Sequence, residues 1–134
     1  MRTKGIFLNL ALLGLAVFGQ GCVIAAVGLG AAGTIAYVRG DLEATESKNI
    51  EAVYSAAVQA VEDLHLNLIS KSEDALSATI TARDAADKKI TIKLKSTSEQ
   101  TTKLSIRVGT FGDETKSQQI YQKIYNILYP IDKS

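Results

Sequence analysis

The chain of 134 residues contains one cysteine, Cys22, so no disulfide can form within it and any folded part must be held by its core. It contains one histidine, His65, with no second metal ligand at a useful spacing, so no metal site is expected. Basic charge is not in excess. Fifteen Lys and Arg stand against 14 Asp and Glu and are intermixed with them, which gives no sign of a nucleic-acid surface. No G-x-S-x-G or S-x-x-K arrangement is present, and the carboxylates of "SEDA" and "RDAADKK" lie in polar, loop-like stretches that nominate no acid–base pair. No cofactor, metal or catalytic residue is therefore expected, and the chain does not read as an enzyme.

Charge is missing altogether from Gly5 to Val38, whereas charged and apolar residues alternate on a short scale from Arg39 onward. The division implies a membrane-directed leader followed by a domain of about 95 residues, enough for one modest core. Met1 to Lys4 brings two positive charges, Ile6 to Phe18 is apolar apart chiefly from Asn9, and "GQGC" follows. That is the order of a secretory signal, and the apolar run is shorter than the roughly 20 residues that span a bilayer. Removing Arg2 and Lys4 with the leader leaves 13 basic against 14 acidic residues.

A cysteine directly after Gly21 resembles the lipobox of bacterial lipoproteins, which implies cleavage after Gly21 and acylation of Cys22, palmitate included. Gly19 and Gln20 depart from the usual Leu and small residue of that pattern. Three segments follow: signal peptide 1–21, acylated cysteine and apolar Gly-rich tether 22–38, and domain 39–134. The segment 23–38 has two readings, a flexible tether at the lipid surface or a small-residue helix that self-associates through Gly28, Gly30 and Gly33. "GLGAAG" also fits a dinucleotide fingerprint, but that motif needs a strand before it, a helix after it and a βαβ unit around it. Nothing downstream reads as a parallel sheet, so no nucleotide is expected.

The domain reads as α+β. Ile50, Val53, Tyr54, Ala57, Val58, Val61 and Leu64 form the apolar stripe of a helix that Ser47 can cap. "RGDLEATE" before it suits an edge strand with Leu42 and Ala44 inward. "LNLIS", "LSATITAR", "KITIKLK" and "KLSIRV" then alternate apolar and polar residues, with short polar connectors suited to antiparallel hairpins. Ile120, Tyr121, Ile124, Tyr125 and Leu128 mark a second helix ending before Pro130. One apolar sheet face and two apolar helix stripes predict a two-layer sandwich, an antiparallel sheet of four or five strands with both helices on one face. The opposite face would display Arg83, Lys93, Lys95, Lys103 and Arg107 with no acidic residue, either as a plain solvated surface or as a binding face for anionic lipid headgroups, an anionic cell-wall polymer or an acidic envelope protein.

The leader ending in Cys22, the Gly-rich segment closing on "AYVRGDLEAT", the Thr/Lys-rich strands and "IRVGTFGDE" together resemble a family of small bacterial envelope lipoproteins catalogued as a domain of unknown function. The resemblance covers nearly the whole chain and implies a lipid anchor, but no activity. In "GTFGDE" the two glycines suit unusual backbone angles, Asp113 suits a helix cap and Phe111 a core anchor; the amides of the helix start could also hold an anion. The expected protein is a membrane-anchored lipoprotein with a binding or structural domain; the alternative is a self-associating membrane component, and a lipid-anchored enzyme comes third. Val23 and Ile24 lack the Asp that marks inner-membrane retention in some bacteria, so the expected place is the outer membrane, facing the periplasm.

Overall fold

The structure, a computed structural model, describes residues 35–131; the leader, Cys22, "GLGAAG" and most of the Gly-rich segment lie outside the described residues. The elements are β1 (Ile35–Val38), β2 (Asp41–Glu46), α1 (Ile50–Asp63), β3 (Asn67–Glu73), β4 (Ser77–Arg83), β5 (Lys89–Ser98), β6 (Thr101–Val108) and α2 (Glu114–Leu128). They form one open antiparallel sheet in the order β1-β2-β6-β5-β4-β3. Helix α1 carries the chain from β2 to the far edge, and the meander β3 to β6 brings it back until β6 pairs with β2.

The expected α+β class holds, but the sheet has six strands rather than four or five. The extra one, β1, comes from the segment assigned to the tether, so residues 35–38 belong to the sheet. Its hairpin to β2 turns on Arg39 and Gly40, both at positive φ (54° and 90°), as a two-residue turn matched to strand twist requires. An "Arg-Gly" pair lacks the Asn or Asp that usually signals such a turn, and the small residues before it hide the alternation. With β1 outside it, β2 is an interior strand and not the expected edge.

Alternation decides which side each residue faces. Leu42, Ala44, Ile80, Ile90, Ile92, Leu94, Leu104, Ile106 and Val108 point to the helices and are almost fully buried. Helix α1 meets them with Ile50, Val53, Ala56, Ala57, Ala60 and Val61, whose small members let the helix sit close; α2 adds Ile120, Tyr121 and Ile124. Six strands about 4.8 Å apart are wider than two helices about 10 Å apart can cover, and the edge strand β3 is exposed along its whole length.

The helix ends are specified locally. Asn49, not Ser47, caps α1, its side chain accepting from the Ala52 amide at 2.9 Å. Asp113 caps α2 as expected, accepting from the Lys116 amide at 3.1 Å. Helix α1 stops with the His65 amide donating to the Glu62 carbonyl and the Leu66 amide to the Val61 carbonyl, and with His65 at φ 55°. That paired pattern is a Schellman ending, which places the histidine where glycine is commonest.

Candidate functional site

The five basic residues expected on the open face are all there, but strand pairing divides them. Because β2 lies beside β6, Asp41 pairs across to Arg107 and Glu43 to Ser105, which brings two carboxylates onto a face expected to carry none. Arg107 Nη1 lies 3.1 Å from Asp41 Oδ1, and Lys103 Nζ lies 3.7 Å from Glu43 Oε2. Arg83 turns to its own hairpin, with Nη1 donating to the Asp87 carbonyl at 2.9 Å. Lys93 and Lys95 have no ion pair among the described residues. Lys95 sits directly opposite Lys103 in the β5–β6 register, where like charges repel. These three lysines and the exposed Leu76 border a shallow depression of about 500 Å³.

The two sequence strings that carry the family resemblance meet at one end of the sheet. Gly40, in the β1–β2 turn, packs on the backbone of the loop after β6; a Cβ on Gly40 would lie 2.7 Å from the Phe111 carbonyl oxygen. A Cβ on Gly112 would collide with the Gly40 backbone and the Tyr37 hydroxyl, and Gly112 has φ 88°. Arg107 ties the corner, donating to the Arg39 carbonyl at 2.9 Å and the Thr110 carbonyl at 2.6 Å as well as to Asp41. Phe111 is not the core anchor that its type suggested, for it stands 90% exposed at the tip. Once Gly112 is fixed against Gly40, the chain before it is turned outward.

Beside this tip lies a groove of about 830 Å³ lined by Arg83, Lys88, Lys89, Arg107, Gly109 and Phe111 among others. Three of its four cations are paired, Arg107 with Asp41 as above, Arg83 with Asp87 at 3.5 Å and Lys88 with Asp113 at 3.6 Å, while Lys89 has no ion pair among the described residues; behind the groove Lys116 is paired with Asp84. The Lys116 side chain holds the Asp84 carboxyl below its usual range, and the Lys116 amide does the same for Asp113. The Asp113 carboxylate thus occupies the place at the start of α2 that an external anion would take.

A polar cluster that sequence reasoning missed lies under α2. Glu46, the last residue of β2, points inward with no solvent exposure, and its Oε1 accepts from the Tyr121 hydroxyl at 2.6 Å. Glu46 Oε2, the Tyr129 hydroxyl and Ser117 Oγ are buried without hydrogen-bond partners. Burial pushes the Glu46 carboxyl above its ordinary range, against the opposing effect of the Tyr121 hydroxyl. Burial and the adjacent carboxylate push Tyr121 upward, and Tyr129 to about 12. The signal was present, since Glu46 continues the inward series Leu42 and Ala44, but a charged residue at an inward position invites the opposite reading. With no exposure, the carboxyl serves the fold and offers no surface to a substrate. Among the described residues, no three His, Cys, Asp or Glu side chains are grouped to hold a metal ion.

Fold and surface together define a two-layer α+β domain with an open antiparallel sheet and a lysine-bearing face that no described element covers. The family model described as a protein of unknown function (DUF3568) matches residues 5–126, and the chain belongs to that family. No curated protein matches it.

Proposed function

We propose that the chain is an envelope lipoprotein, cut after Gly21 and acylated on Cys22, that tethers a non-enzymatic binding or structural domain to the outer membrane, facing the periplasm. The extent of the family match supports this most. It begins at residue 5 and takes in the leader, Cys22 and the domain as one unit. Three acyl chains, at about 0.8 kcal/mol per buried CH₂, give an anchor that holds without a transmembrane helix. No helix among the described residues is long and apolar enough to cross a membrane.

The strand assignment of Ile35–Val38 weighs against the alternative of a self-associating span built on Gly28, Gly30 and Gly33. Only 23–34 then lies between the cysteine and the sheet, and twelve residues at about 1.5 Å each fall well short of a hydrocarbon core of about 30 Å. Fractionation of cells expressing the wild type and Cys22→Ala tests the reading. The wild type is expected in the membrane fraction at mature size, and the variant as an uncut precursor. Identical size and distribution for the two would refute it.

A further inference from the structure

The start of β1 fixes which end of the sheet is nearest the anchor. Ile35 pairs with Ala44, and that row continues through Leu104 and Leu94 to Ala78. The row of Lys95 and Lys103 lies on one side of it, and the row of Lys93 and Ser105 on the other. The chain from Cys22 therefore enters the sheet at the level of the three lysines, while the Phe111 corner lies at the opposite end of β1. Twelve intervening residues reach at most about 45 Å, so the domain stays within its own dimensions of the bilayer and can settle on it in any orientation.

We propose that the open sheet face, through Lys93, Lys95 and Lys103, docks on the anionic phospholipid headgroups of the membrane that holds the chain's acyl groups. The proposal rests on the lipoprotein reading above. Three observations carry it. Lys93 and Lys95 are exposed with no ion pair among the described residues, and Lys103 is only partly offset by Glu43 at 3.7 Å. Lys95 and Lys103 face one another in register, an arrangement that a merely solvated sheet gains nothing from and that an anionic surface relieves. Leu76, 67% exposed, stands beside them at the β3–β4 turn as an apolar contact for the headgroup boundary. Asp74, in the same turn, accepts from the Leu76 and Ser77 amides, which fix its ionised carboxylate against the turn backbone. Each lysine attracts an anionic surface weakly, and within a Debye length only, but the tether removes the cost of finding that surface. The lysines then decide which way the domain lies, while the acyl chains decide that it stays.

The test uses the full mature chain reconstituted into phosphatidylcholine vesicles with and without phosphatidylglycerol. A water-soluble amine reagent labels the lysines, and peptide mass spectrometry gives the rate at each position together with the mass of the amino-terminal peptide. Labelling of Lys93, Lys95 and Lys103 is expected to slow about tenfold in phosphatidylglycerol vesicles only, to recover in high salt, and to leave Lys123 unchanged. The Lys93→Gln/Lys95→Gln variant should lose the protection of Lys103 while remaining membrane-bound. Equal rates in both vesicle types on an acylated chain overturn the docking proposal and leave the anchor intact. Equal slowing in both means that a second copy or uncharged lipid covers the face, and overturns it too. An amino-terminal peptide without acyl chains overturns the anchor reading itself.

Discussion

Gly112 and Gly109 both have positive φ, 88° and 76°, in one short loop, yet they answer to different constraints. A methyl group at Gly112 meets the Gly40 backbone, whereas one at Gly109 meets nothing within 4 Å. Gly109→Ala is expected to cost about 1 kcal/mol from backbone strain alone, and Gly112→Ala at least about twice that, read from denaturant midpoints. Equal losses would mean that the close approach of the two turns does not stabilise the fold. Glu46 supplies a second test at this scale. Its carboxyl is held above its ordinary 4.5, so the folded chain binds the proton more tightly than the unfolded chain does. The resulting stability is complete below pH 4.5 and is lost as pH rises through the raised folded value. Glu46→Gln keeps an acceptor for Tyr121 without the charge. It should be more stable than the wild type at neutral pH, and the difference should shrink as pH falls towards 4.5. Asp84 and Asp113, held low, act oppositely: their stability is present above their ordinary 3.8 and is lost on further acidification.

At the scale of elements, the strands and helices with clear periodicity were legible and those without it were not. Ile80, Ile92, Leu104 and Ile106 declare an inward face at every second position, and the stripes of α1 and α2 declare themselves at helical spacing. Strand β1 has only Ile35 and Tyr37 to alternate, four residues in all, with a turn whose leading residue is an arginine. The cap of α1 was misplaced because Ser47 and Asn49 are both good caps, and only the direction of the chain leaving β2 chooses between them. His65 shows how a residue that resembles a functional one can belong to an ending. At φ 55° it is strained where glycine is not, so His65→Gly is expected to raise stability by about 0.5–1 kcal/mol in thermal unfolding. A destabilised variant would show that the imidazole makes contacts that outweigh the strain.

At the scale of the whole molecule, the candidate face was legible as a list of basic residues but not as an electrostatic surface. Alternation shows which residues point outward; only strand order shows which of them are neighbours. The placement of β2 beside β6 brings Asp41 to Arg107 and Glu43 to Lys103, and so reduces five basic positions to a smaller cluster around Lys93 and Lys95. The same strand order brings residues 35–38 into the sheet. A chain begun at Ile35 should fold, whereas one begun at Arg39 lacks β1 and the Tyr37 hydroxyl that Gly112 packs against, and should melt at a lower temperature. Equal melting temperatures would place β1 outside the cooperative unit. The account as a whole depends on Cys22, and the most direct measurement is the mass of the mature amino-terminal peptide isolated from the membrane fraction. A peptide that begins at an acylated Cys22 is predicted; an unmodified peptide still carrying Met1 to Gly21 would contradict the account.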